Sequence, residues 1–152
     1  MIDVNLAEFL QSGLGIHLGT ANQHMEPSGC RVTAVKVEDD GRHLVAFVPK
    51  AASPRIFDNL RSNGRSAVSF ARPADERAVQ VKGLMLFSWD AKPDEENFAR
   101  SQWAGFLGQL DGIGLPGAAT SSWKVFPSVA VRIKVTAVFN QTPGPDAGAA
   151  LT

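Results

Sequence analysis

The sequence has one cysteine, Cys30, and no tyrosine. A single thiol excludes an internal disulfide framework and a zinc site built on cysteines, and it suits a reducing compartment. Charge of one sign is also lacking: 15 Lys and Arg face 15 Asp and Glu, for a formal net charge of zero. General nucleic-acid binding needs a broad basic surface that displaces counterions, so no nucleic-acid partner is expected. No apolar run approaches the ~20 residues of a membrane helix. The first residues include Asp3 and Glu8 and no basic stretch, unlike a secretory signal. The expectation is therefore cytoplasmic, with no membrane partner. Familiar catalytic signatures are missing as well. There is no Gly-x-Ser-x-Gly elbow and no Walker sequence, and His17, His24 and His43 lack the spacing of a helical metal motif, so no metal site is expected. The only Gly-x-Gly-x-x-Gly, at Gly112, Gly114 and Gly117, follows a predicted helix and contains Pro116. A dinucleotide fingerprint must instead follow a strand and open a helix, so this stretch reads as plain loop.

What is present is an ordinary globular composition, 152 residues with 44% hydrophobic and 20% charged. A chain near this size buries about 68–70% of its unfolded surface, enough for one real core. Val4 to Ser12 places Leu6, Phe9 and Leu10 at helical spacing, and Gly13 and Gly15 stop it. Strand patterns follow at Leu14–Thr20 and Cys30–Val37. The turn Asp39-Asp40-Gly41-Arg42 then leads into His43–Val48, apolar on both parities. Ser53 is a plausible N-cap for a helix with Pro54 in its first turn, and Asn63-Gly64 ends it. Arg65–Arg72 and Ala78–Trp89 read as strands, the latter with Val79, Val81, Met85 and Phe87 on one parity. Pro93–Leu110 reads as a helix whose first-turn acids, Asp94, Glu95 and Glu96, complement its dipole. In the last strand Val129, Val131, Ile133, Val135, Ala137 and Phe139 share one parity, opposite Ser128, Arg132, Lys134 and Thr136.

About six strands with two or three helices and hairpin-length turns do not make a parallel βαβ sheet. They predict a mainly β, α+β domain over residues 1–142, in which antiparallel strands close into a small barrel and remove their edges. The Pro-, Gly- and Ala-rich tail, 143–152, is expected to be disordered. Cys30 lies in a strand-like run and reads as a small buried hydrophobe. Charge is uneven in one place: Lys50, Arg55, Arg61, Arg65 and Arg72 are interrupted only by Asp58. Arg55 falls in the first helical turn, whose free N–H groups favour an anion. Arg31 and Thr33 share one face of the preceding strand. Guanidinium forks, hydroxyls and helix-terminal amides are what a phosphate needs.

Arg31-Val32-Thr33-Ala34-Val35-Lys36 resembles the Arg-x-Val-Leu-Leu-Lys strand of the pyridoxamine 5'-phosphate oxidase-like, FMN-binding split-barrel family. Ser53-Pro54-Arg55 through Asn59-Leu60-Arg61-Ser62-Asn63-Gly64-Arg65 resembles the family segment in which a basic residue precedes Asn-Leu-Arg-x-Asn-Pro-Arg. Glu76 to Gly83 resembles its following Arg-x-x-x-Val-x-Gly strand, so the likeness runs in order over roughly residues 5–90.

The resemblance implies a six-stranded antiparallel split barrel that forms a homodimer and holds FMN between subunits. Arg31 would reach the flavin or its phosphate. Val32, Thr33 and Ala34 would run beside the ring, and Phe47 and Val48 would face it. Lys36 and Arg55 would be further phosphate cations, with Lys50 and Ser53 completing the candidate cofactor set. Lys36 lies on the opposite parity from Arg31, so both can serve only if the strand twists or bulges between them.

Ile56 and Val48 depart from the family's basic and hydroxyl residues. The implied activity is flavin-dependent oxidoreduction of a small-molecule substrate, with no catalytic side chain. The alternative is a non-catalytic barrel holding another anionic ligand, a deazaflavin or haem, or no cofactor. A true pyridoxamine 5'-phosphate oxidase is not expected, because no Lys or Arg follows Lys134.

Overall fold

The computed structural model describes residues 1–151. In chain order the elements are α1 (Val4–Leu10), β1 (Gly15–Ala21), β2 (Pro27–Val32), β3 (Ala34–Val37), β4 (His43–Pro49), α2 (Pro54–Asn63), β5 (Arg65–Ala71), β6 (Ala78–Asp90), α3 (Pro93–Gly112) and β7 (Ser128–Asn140). All strand pairs are antiparallel, in the order β2-β1-β5-β6-β7-β4-β3. The two edge strands, β2 and β3, are successive in the chain. The sheet therefore curls until its edges meet, and β2 comes to lie against β4.

The described residues form seven strands rather than six. The extra one arises because the run through Cys30–Val37 breaks at Thr33. The Thr33 N–H donates to Phe47 O at 2.9 Å, and its hydroxyl donates to Val125 O at 3.0 Å. The chain thus leaves the β1 ladder and joins the β4 ladder at that residue.

The barrel interior is apolar and continuous. It takes Ile16 and Leu18 from β1, Val32 from β2, Val35 from β3, and Leu44, Ala46 and Val48 from β4, with Val68, Phe70, Val79, Val81, Val131 and Ile133 behind them. The second parity of β4, Val45 and Phe47, is buried too, because α3 covers that face with Phe98 and Ala99. This is why β4 reads as apolar throughout.

Each helix has a local cause. Asp3 caps α1, its carboxylate accepting from the Leu6 N–H at 2.8 Å. Ser53 stands at the N-cap of α2, yet its hydroxyl makes no capping bond, and Pro54 supplies the helical entry instead. In α3 the Glu95 carboxylate accepts from the Lys92 N–H at 2.8 Å. The first-turn acids also have partners beyond the dipole: Glu95 accepts from Trp89 Nε1 at 3.0 Å and Glu96 from the Ser128 N–H at 2.6 Å.

Two expectations about side-chain direction are corrected by bulges. β6 and β7 slip register between Lys82 and Gly83, and again between Met85 and Phe87. Past the first slip the parity of β7 inverts, so Val138 is buried while Phe139 is not. At the other end of β7, Ser128 and Ala130, on the parity expected to face solvent, are buried for a different reason: α3 covers them, with Ala99 in the cluster of Ala130 and Glu96 accepting from the Ser128 N–H. Past the second slip Phe87 points outward and is 53% exposed. A Cβ at Gly83 would collide with the Ile133 side chain and the Lys134 carbonyl, so the first bulge requires glycine there. Beyond β7 the chain turns back, and Ala150 bridges to Phe139. No helix among the described residues is long and apolar enough to cross a membrane.

Candidate functional site

Arg31, near the end of edge strand β2, projects from the sheet under α3 and the segment that follows it. Its guanidinium carbon lies 4.3 Å from the ring centre of Trp123, 5.4 Å from that of Phe106 and 6.0 Å from that of Trp103. Gly13 makes this packing possible, since a Cβ there would meet the Phe106 backbone at 2.8 Å and its φ is +78°. Three aromatic rings stabilise a cation through their faces, but they accept no conventional hydrogen bonds. Arg31 Nη1 is accordingly buried without any hydrogen-bond partner among the described residues. Burial lowers the Arg31 pKa from its ordinary value. A buried charged donor left unpaired is costly, so this nitrogen identifies a place where an anion would be stabilised.

The place is also roomy. A cleft of about 520 Å³ is lined by Arg31, Cys30, Pro49, Ala51, Ala52 and the stretch Ser122–Val125. That volume falls within the ~300–1,000 Å³ of ordinary small-molecule sites. Lys124 gives the cleft a second cation and Ser122 a hydroxyl. Cys30 on its wall is unreactive, because burial pushes its thiol up to about 11.

The other sequence-predicted residues are dispersed. Val32 and Val48 belong to the barrel core. Thr33 is committed to Phe47 O and Val125 O. Ala34 and Phe47 pack beneath α3. Lys36 lines a different cleft, about 280 Å³, with Glu38, Phe47, Trp89 and Glu95. Lys50 pairs with Asp90 at 3.0 Å. Ser53 and Arg55 are exposed at the start of α2, outside the residues lining the Arg31 cleft.

The basic run disperses in the same way. Lys50, Arg61 and Arg72 are paired with Asp90, Asp58 and Asp75. Lys36 and Arg31 are separated by the break at Thr33 and serve different clefts. Sequence reasoning missed Trp103, Phe106, Trp123 and Lys124. The available signal was aromatic: Trp103 and Trp123 are two of only three tryptophans.

The chemistry of the donor set bears on FMN at its phosphate end. Arg31, Lys124 and Ser122 all line the cleft, and a guanidinium, an ammonium and a hydroxyl suit a phosphoryl group. The backbone of β3 is less available. The Val35 N–H donates to Gln102 Oε1 at 2.7 Å, and Gln102 Nε2 donates to Val35 O at 2.9 Å. Elsewhere, Glu38, Asp40 and His43 bring ligand atoms within 4.8 Å of one another. Arg132 already forks onto both Glu38 oxygens at 2.7 Å, and Asp40 Oδ2 lies 2.6 Å from His43 Nδ1.

No family model matches the chain, and no curated relative matches it. Solved structures do. HupZ of Group A Streptococcus matches with a TM-score of 0.57 at 16% identity, covering 97% of this chain and all of that one. A candidate pyridoxamine 5'-phosphate oxidase from Lactobacillus delbrueckii matches at 0.56 and 12% identity, over 90% and 92% of the two chains. An FMN-binding protein from Syntrophomonas wolfei matches at 0.53 and 10% identity, over 88% and 82%. The chain thus has the split-barrel fold of pyridoxamine 5'-phosphate oxidase-like proteins.

Proposed function

We propose that this chain is an FMN-binding split-barrel protein that works as a flavin-dependent oxidoreductase on a small molecule. One observation carries the reading: Arg31, whose Nη1 is buried with no hydrogen-bond partner among the described residues, lines a cleft of ligand size. Arg31 and Lys124 hold the phosphate, and the Trp123 ring keeps water from the guanidinium. FMN, when bound, supplies hydride and single-electron chemistry, so the chain's part is placement and local charge. No acid or base is required of a side chain in this scheme.

The functional unit is a homodimer. The second half of β6 leaves Leu84, Leu86 and Phe87 exposed together, an apolar strip that a second copy would cover in a symmetric pair. Sedimentation at micromolar concentration should show the dimer, and Phe87→Asp should shift it toward monomer. Pyridoxamine 5'-phosphate is not the proposed substrate, because both cations lining the cleft, Arg31 and Lys124, are assigned here to the flavin phosphate. Steady turnover of pyridoxamine 5'-phosphate by FMN-loaded protein would contradict this.

The test of the cofactor is direct. FMN should quench tryptophan fluorescence on binding and show flavin absorbance in the complex. Arg31→Ala should weaken it about 10–150-fold, the value of one charge-assisted hydrogen bond, while riboflavin, lacking the phosphate, should respond far less. Equal losses for both ligands would move Arg31 from phosphate to ring.

A second reading, a non-catalytic barrel for another phosphorylated ligand, is favoured by Gln102, which already occupies the backbone groups of Val35. Protein that fails to take up FMN but binds a simple phosphate ester through Arg31 would establish it.

A further inference from the structure

The register of β1 and β2 sets His17 directly opposite Arg31. Directly opposed residues of an antiparallel pair point to the same face, with Cβ atoms about 4.5–5.5 Å apart. The imidazole and the guanidinium thus share the outer side of the sheet, next to the place where Gly15 packs on the Phe106 ring. We infer that His17 is a proton-linked cation of the Arg31 site, so that capture of a phosphoryl or sulfate dianion there takes up a proton. The inference rests on reading the Arg31 cleft as an anion site.

The neighbours of His17 leave it little else to answer to. Across β1 on the other side stands Ser69, uncharged, whose hydroxyl accepts from Gln80 Nε2. Arg72, just beyond β5, is forked onto Asp75. The nearby end of α3 offers Phe106 and the Gln109 amide, which donates to Gly13 O at 2.6 Å. Lys124 lines the cleft itself. Arg31 is therefore the charge that His17 faces most directly.

Solvent reaches the His17 ring, yet the surrounding protein and then the Arg31 guanidinium push its pKa below the ordinary histidine value. In the free protein both influences favour the uncharged ring. A dianion seated on Arg31 reverses that field. It offsets the guanidinium and attracts a proton to the imidazole, whose positive charge then holds the anion more firmly. By linkage the two effects are equal: whatever factor the proton adds to anion affinity, the anion adds to proton affinity.

Sulfate is the suitable probe, because its own charge is constant between about pH 5 and 8, the window in which histidine changes charge. Titrated into the whole protein, sulfate should bind about five- to tenfold more tightly at the acid end of that window, the low end of ordinary coupling. His17→Gln should bind sulfate with a flat pH profile. Proton NMR of the His17 ring gives an independent readout. Sulfate should raise its pKa in the parent and not in Arg31→Ala, and Arg31→Ala should raise it without any ligand.

Sulfate that binds through Arg31 with no pH dependence, while the His17 pKa stays unmoved, overturns the role of His17 and leaves the anion site standing. Sulfate that does not bind, or binds equally well to Arg31→Ala, overturns the anion site and this inference with it.

Discussion

The run from Pro27 to Val37 is one stretch of sequence that becomes two unlike regions. After the break at Thr33, the β3 half is complete. Both backbone groups of Val35 are matched by the Gln102 amide, and the Val37 N–H donates to Gln11 Oε1 at 3.1 Å. An open sheet edge is thereby sealed by side chains acting as a further strand. The β2 half is incomplete. Arg31 carries a buried nitrogen with no acceptor, beside a cleft large enough for a cofactor. The edge of β3 is therefore matched by side chains, whereas the buried Arg31 nitrogen is unmatched and lies in the residue on which the proposed anion site rests.

Substitution in the complete half should have the largest effect. Gln102→Leu keeps the volume but strips the edge of β3 of its donor and acceptor. With two buried backbone groups unpaired, stability should fall by about 2–4 kcal/mol, read by urea denaturation. A loss below about 0.5 kcal/mol would mean that water replaces the amide and that β3 is as open as β2.

The incomplete half should behave the other way. Arg31→Met removes an unpaired donor and keeps the aromatic packing, so the melting temperature should stay level or rise. Phosphoryl-ligand affinity should drop by about 1.5–3 kcal/mol, measured by fluorescence titration. Destabilisation as large as that of Gln102→Leu would dissolve the distinction between the halves.

A smaller change sharpens the picture of the aromatic wall. Trp123→Ala removes the closest ring and should weaken the same ligand by about 0.5–2 kcal/mol through the lost cation–π contact. Trp103→Phe, which is farther from the guanidinium, should do less.

The smallest expected effect is in pH dependence. Hydrogen bonding from Arg132 holds the Glu38 pKa below its ordinary value, and the Arg72 fork brings Asp75 down to about 2. A carboxylate with a depressed folded pKa contributes stability above its unfolded pKa, and loses it as pH falls through the folded value. Both groups sit at the surface, where pairs contribute little. Glu38→Gln should only slightly flatten the acid limb of a stability–pH curve.

Much of the architecture was legible because its causes are local. The alternation at Gly15–Ala21, the Pro54 entry and Gly64 exit of α2, and the doubly apolar Leu44–Val48 each depend on residues a few positions apart. The barrel reading followed from hairpin-length turns between strands. What escaped was set by partners distant in sequence. The bulge at Gly83 depends on Ile133 and Lys134 across the ladder, and it inverts the parity of Val138 and Phe139 although the alternation of β7 is unbroken in the sequence. The basic run from Lys50 to Arg72 stands out in the sequence as uneven charge, but three of its members answer to Asp90, Asp58 and Asp75.

By itself the sequence determined a small antiparallel barrel with capped helices, because side-chain period, turn chemistry and capping are properties of neighbouring residues; Arg31 stood out as a candidate anion ligand through the family resemblance of its strand. Only the tertiary structure decided where each charge finds its partner. Closing the sheet broke the chain at Thr33 and sent Arg31 and Lys36 to different clefts. Folding α3 and the Trp123 segment back over β2 then surrounded Arg31 with rings that can stabilise its charge but cannot accept its hydrogen bond.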